Sequence, residues 1–154
     1  GFRVQPWRKV KKRRLIETEK FYLFDVGIAN YLSRRTPKTG TPEFGHSFEH
    51  YILMELKAYQ AYRNPELDIR YWRTSTGFEV DFILGDMQVA VEVKGSKKIH
   101  RAHLRSLKAL REEHRVESAV VVSLEEHPRR PASGVEVVPW QHFLRRLWAG
   151  ELGV

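Results

Sequence analysis

The sequence predicts an α/β domain in which a mixed central sheet is flanked by helices. Three observations carry this. Residues 45–63 and 100–114 place apolar side chains at helical spacing. Residues 78–84 and 88–94, FEVDFIL and QVAVEVK, alternate with period two on either side of Gly85-Asp86, which reads as a hairpin. Residues 118–124, SAVVVSL, form the unbroken apolar run of a strand covered on both faces.

Taken in order, residues 1–19 read as a basic arm or linker. RKVKKRR, residues 8–14, holds six cations and shows no periodicity. Residues 20–43 form a lead-in. KFYLFD is a short extended segment, and Asp25 is placed to cap a helix through Val26, Ile28, Ala29, Tyr31 and Leu32. TPKTGTP, residues 36–42, is a loop by composition. The main domain is expected over residues 44–154. Its first helix spans residues 45–63, with Phe48, Ile52, Leu56 and Tyr59 in one stripe, and ends before Asn64-Pro65. Strands follow at 68–74, 78–84 and 88–94. A helix at 100–114 turns Leu104, Leu107 and Leu110 inward and leads to the strand at 118–124. A strand–helix–strand crossover of this kind makes a parallel pair. A short strand at 134–138 and a helix at 141–149 close the domain.

Composition limits the chemistry. The 154 residues contain no cysteine, which removes disulfides, thiolate metal sites and cysteine nucleophiles and fits a reducing cytoplasm. No apolar run approaches the ~20 residues that cross a bilayer. A formal net charge of +8 favours a polyanionic partner, most commonly nucleic acid, with an anionic membrane surface as the other. The chain begins with Gly1 rather than Met, which suggests a piece of a longer protein.

The hairpin carries the candidate site. Alternation sets Val80, Phe82 and Leu84 on one face of its first strand and Glu79, Asp81 and Ile83 on the other. A two-residue turn pairs Leu84 with Met87 and sets Asp81 opposite Ala90. A four-residue turn pairs Gly85 with Gln88 and sets Asp81 opposite Glu92. Either way Asp81, Glu92 and Lys94 share a face, away from Val89, Val91 and Val93. Like charges this close require an offset, and carboxylate oxygens suit Mg²⁺ or Mn²⁺. Such an ion could polarise a phosphoryl oxygen, and Lys94 could position or deprotonate the attacking water. The plain alternative is a solvated strand face with salt bridges.

The order of elements and the Asp81…Glu92-Val93-Lys94 constellation resemble the PD-(D/E)XK phosphodiesterase superfamily over about residues 44–124. The resemblance implies a restriction-endonuclease-like αβββαβ core. It also implies a metal held by Asp81 and Glu92, a lysine assisting the water, and Glu49 on the preceding helix completing the shell. Val80 stands where the superfamily's name has proline. KFYLFDVGIANYL, FEHYILMEL, YWRTSTGFEVDFIL and VAVEVKGS are similar to successive signatures of the C-terminal domain of a prokaryotic group of AAA-type ATPases. That similarity implies an ATPase half before Gly1 as a partner. No Walker A loop occurs in the chain itself.

Lys97, Lys98, Arg101 and Arg105, beside the site, are candidates for holding a phosphate backbone. His46, Glu49 and His50 spell H-x-x-E-H, a zinc-peptidase pattern that would leave the hairpin acids unexplained. His50 is instead expected at the surface, facing solvent or DNA. Trp140, Phe143, Leu147 and Trp148 read as core or as a docking face. The expected function is a metal-dependent DNA phosphodiesterase. The rival is an inactive nuclease-fold module for DNA binding or for ATPase assembly, with a homo-oligomer left open.

Overall fold

A computed structural model describes residues 1–7, 18–131 and 133–154. Seven strands form one mixed sheet: β1 Phe2–Pro6, β2 Lys20–Tyr22, β3 Ile69–Arg73, β4 Glu79–Leu84, β5 Val89–Lys94, β6 Ser118–Ser123 and β7 Glu136–Pro139. Their spatial order is β2-β1-β3-β4-β5-β6-β7. Strands β3, β4 and β5 run antiparallel, while β5, β6 and β7 are parallel. Helices α1 Val26–Leu32, α2 Pro42–Tyr62, α3 Arg105–Glu113 and α4 Trp140–Trp148 complete the chain, with a 3₁₀ turn over Arg101–Leu104 leading into α3.

The sheet separates two apolar layers. On one side Phe48, Ile52, Leu53 and Leu56 of α2 and Phe143 and Leu147 of α4 meet Phe82, Val89, Val91, Val120 and Val122. On the other, Leu107 and Leu110 of α3 meet Trp72, Ile83, Ala90, Val121 and Val137. The helical stripes and the buried strand at 118–124 are therefore where the spacing puts them. Trp140 and Trp148 stand edge-on to Tyr51 and Tyr59 of α2, at 5.8 and 5.7 Å between ring centroids. Such pairs contribute roughly 0.5–1.5 kcal/mol each beyond their area. Trp148 Nε1 also donates to Glu55. The aromatic stripe of α4 is thus packed against α2.

Several expectations need correcting. The first residues are not part of an arm: β1 inserts between β2 and β3, and Val4 and Trp7 are buried. The alternation of Val4 and Pro6 with exposed Arg3 and Gln5 is masked in the sequence by the cations that follow. The run at residues 8–14 lies outside the described residues. Helix α2 starts at Pro42 rather than Gly45, because Thr41 Oγ1 caps the Phe44 N–H and proline suits the first helical position. Strand β7 and helix α4 are shifted to Glu136–Pro139 and Trp140–Trp148.

The place of β1 can be tested. Val4→Asp would bury a carboxylate without a partner, and is expected to cost at least ~3 kcal/mol in urea denaturation. Arg3→Ala, at a side chain 75% exposed, is expected to change stability by less than ~0.5 kcal/mol. A silent Val4→Asp would mean that the strand is not part of the sheet.

Candidate active site at the break between β4 and β5

The hairpin takes the four-residue turn, with Leu84 opposite Val89 and Phe82 opposite Val91. Gly85 and Met87 both adopt left-handed backbone in that turn, at φ 61° and 64°. Continued by one pair, this register sets Asp81 across from Glu92. On its other side β4 carries a bulge: Arg70 pairs with Ile83 and Trp72 with Val80, so Asp81 and Phe82 together face Tyr71. The bulge interrupts the period of two. Val80 therefore packs with Ile83 and Ala90, not with Phe82 and Leu84 as simple alternation predicts. Asp81 stands at the break, and its Oδ2 accepts the Val93 N–H at 2.7 Å. A bulge that re-aims one acidic side chain at the end of a hairpin is a common device next to functional sites.

The charges of the cluster come from five elements, β2, β3, β4, β5 and α2. Glu92 of β5 is buried, and its Oε1 lies 2.5 Å from Lys94 Nζ. Glu49 is on α2, whose first turn comes close to the end of β5 because Gly95 has no side chain: a Cβ there would lie 2.9 Å from the Phe44 ring. Glu49 Oε1 accepts from Tyr22 Oη at 2.5 Å and from Lys20 Nζ at 3.2 Å. Lys20 also pairs with Glu79, which Arg73 holds at 3.3 Å from the other side.

The electrostatics follow from burial. Removal from water pushes the Asp81 carboxyl well above its ordinary range, and the charges of Glu92 and Glu49 push it further; Lys94 and Lys20 oppose them. Burial raises Glu92 to about 7, against the opposing charge and hydrogen bond of Lys94. Burial lowers Lys94 and Lys20, but the carboxylates around them outweigh it, so both rise and both remain ammonium ions at neutral pH. Tyr22 rises through burial and the adjacent Glu49, and stays a phenol. Four carboxyl groups, Glu49, Glu79, Asp81 and Glu92, stand against three cations, Lys20, Arg73 and Lys94, so with every acid ionised the cluster would carry one net negative charge. The balance is short of one positive charge, which a proton or a bound cation would supply.

The structure thus brings Asp81, Glu92, Lys94 and Glu49 into one electrostatic cluster. Among the described residues, no three His, Cys, Asp or Glu groups are disposed to hold a metal ion together. Glu49, expected to complete a metal shell, is instead engaged by Tyr22 and Lys20. The two remaining carboxylates do fit a hard divalent ion. Glu92 Oε2 is buried without a hydrogen-bond partner, and Mg²⁺ is commonly held by one or two carboxylates and waters.

The H-x-x-E-H pattern forms no zinc site among the described residues. His50 is not at the surface as expected. It is buried, and its Nε2 donates to the Leu23 carbonyl at 2.7 Å, fastening the residue after β2 to α2. Lys97, Lys98, Arg101 and Arg105 are exposed, and none is held in an ion pair among the described residues. Glu79 is expected from sequence on the face of Asp81, whereas Lys20 and Tyr22 are not expected near the site. The one available signal was that Lys20 and Tyr22 fall two apart in an extended segment, and so on one face. A separate depression at the far ends of β3 and β4 is lined by Glu66, Asp68 and Asp86 with Trp7 and Arg70, and its carboxylates suit no polyanion.

The family model described as Domain of unknown function (DUF4143) matches residues 44–143, well over half of the chain. No curated protein and no solved structure matches it.

Proposed function

We propose, from the premise that this chain belongs to the DUF4143 family of domains of unknown function, that it is a metal-dependent DNA phosphodiesterase. In this reading the α/β domain is a restriction-endonuclease-like core of the PD-(D/E)XK kind, working in the cytoplasm beside an AAA-type ATPase. The observation that carries the reading is the pairing of two buried carboxylates, Asp81 and Glu92, with Lys94 on one oxygen of Glu92 and the other oxygen buried and unpartnered. Burying two acids together is costly unless something binds between them.

Asp81 and Glu92 would hold Mg²⁺ or Mn²⁺. When bound, that ion would polarise a phosphoryl oxygen and lower the pKa of a water. The protein's own part is positional. The bulge aims Asp81, and the Val93 N–H fixes one of its oxygens. Lys94 presents an ammonium group that can hydrogen-bond the attacking water or a phosphate oxygen. It is held in place by Glu92 Oε1. Lys97, Lys98, Arg101 and Arg105 would take the phosphates of the DNA on either side.

A second reading has one observation in its favour. Glu49 is tied to Tyr22 and Lys20, which leaves the carboxylate set smaller than the resemblance implies. An inactive nuclease-fold module, binding DNA or assembling the ATPase, would keep the cluster only as a fold element.

Incubation with plasmid, single-stranded and branched DNA separates the two. Cleavage is expected with Mg²⁺ or Mn²⁺, and is expected to disappear with EDTA, with Asp81→Ala and with Lys94→Ala. Cutting that survives both substitutions comes from elsewhere. Salt-sensitive binding with no cutting under any ion establishes the inactive module.

A further inference from the structure

From the surface beside this site, we infer that the segment from β2 to the loop after α1 is a platform for single-stranded DNA, leading a strand toward Asp81 and Glu92. It rests on the proposed activity only for where the strand goes, not for the binding itself.

Helix α1 buries none of its residues, although it is largely apolar. Tyr31 is 83% and Leu32 65% exposed, and Phe21 and Phe24 just before the helix are 63% and 61% exposed. Three cations follow at once. Arg34, Arg35 and Lys38 are exposed, and none has an ion-pair partner among the described residues. Exposed rings with free cations next to them fit a strand whose bases are unpaired. Open base faces stack on the rings while phosphates meet the cations. A duplex hides its base faces, and a neutral protein partner would leave the cations unanswered.

Arg34 adds a second, independent sign. Helix α1 closes with the Arg34 N–H on the Tyr31 carbonyl at 3.1 Å and the Arg35 N–H on the Asn30 carbonyl at 2.9 Å. This closure puts Arg34 in left-handed backbone, at φ 52°, where glycine is the favoured residue. The chain carries a long cation at a position where its backbone would be more stable without a side chain. The platform is also continuous with the site. Phe21, Ala29, Arg35 and His46 wall a cleft whose other lining residues include Lys20, Glu49 and Glu79.

The test is fluorescence anisotropy with a labelled oligonucleotide of about 15 nucleotides, in EDTA so that nothing is cut. Single-stranded DNA is expected to bind more tightly than a duplex or an RNA of the same length. Phe24→Ala and Tyr31→Ala are each expected to weaken binding about five- to a hundredfold. Because both side chains are exposed, neither change should lower the melting temperature. Arg34→Gly is expected to weaken binding and to reduce the salt dependence by about one phosphate contact, while raising the melting temperature by a few degrees. Binding unchanged in these variants overturns the inference. So does preferred binding of duplex or RNA, or loss of self-association in place of loss of DNA binding. Intact binding without any cleavage by the wild-type chain would sink the phosphodiesterase reading and leave this one standing.

Discussion

Replacing Asp81 by Asn is expected to reduce cleavage by about a thousandfold or more and, in the same protein, to raise stability above neutral pH. The two effects have one cause. The fold holds Asp81 and Glu92 out of water and side by side, so both carboxyls are raised above their ordinary range. A group raised in this way binds its proton more tightly folded than unfolded. Its contribution favours the fold on the acid side and is lost as pH rises from the ordinary carboxylate range through the folded value. For Glu92 that window runs from 4.5 to about 7. At about 1.4 kcal/mol per pKa unit, full ionisation costs on the order of 3 kcal/mol. An amide at either position removes this cost. Asn can still accept the Val93 N–H, so the ladder end should hold. Urea denaturation is expected to show little difference between wild type and Asp81→Asn near pH 5, and a gain on the order of 1–3 kcal/mol near pH 8.5. A loss of stability at the higher pH would mean that the carboxylates are ionised and well compensated in the fold. The opposite movement of activity and stability is what a site built on unfavourable burial should show.

Lys94→Met is expected to have the largest effect on stability of any change in the cluster, and only at high pH. Removing one partner of a buried pair leaves the other charge uncompensated, which costs roughly 3–5 kcal/mol when both are fully buried. The Lys94 side chain is 32% exposed against 5% for Glu92, so the cost falls somewhat below that range. Without the ammonium group Glu92 would keep its proton to still higher pH. The penalty is therefore expected to be small near pH 5 and about 2–3 kcal/mol near pH 8.5. Adding Glu92→Gln to Lys94→Met should recover most of it, because the stranded charge is then gone. A double-mutant cycle at the two pH values measures this coupling. Equal losses at both, with no recovery in the double variant, would assign the effect to the packing of the lysine stem instead.

The two changes also bear differently on function. Asp81→Asn tests the acidic pair, and Lys94→Met tests the cation beside it. A protein that loses cleavage in both, gaining stability in one and losing it in the other, is behaving as a charged site and not as a damaged core.

Much of the central sheet was legible because its strands carry a strong local signal. FEVDFIL and QVAVEVK alternate around a turn, SAVVVSL is apolar without a break from Ala119 to Val122, and Leu104, Leu107 and Leu110 mark the crossover helix. Burial in each case follows from side-chain type and period, which are local properties. The outer part of the sheet was not legible in this way. Strand β1 is short, is followed by a run of cations, and takes its meaning from β3, whose residue Tyr71 lies more than sixty positions from Pro6 in the chain. No window of sequence contains that pairing.

Which acids and which lysine could form a site is written into the hairpin, since Asp81, Glu92 and Lys94 lie on its adjacent strands and its register allows few arrangements. How they meet and what surrounds them follows from long-range packing. The bulge opposite Tyr71 depends on a neighbouring strand, not on the hairpin. The approach of Glu49 depends on α2 lying against Gly95, and the engagement of Glu49 by Lys20 and Tyr22 depends on an edge strand joining the sheet. Side-chain period is set by the backbone of each strand alone. Charge compensation depends on distance in space, and chain folding brings groups from five separate elements within reach of one another.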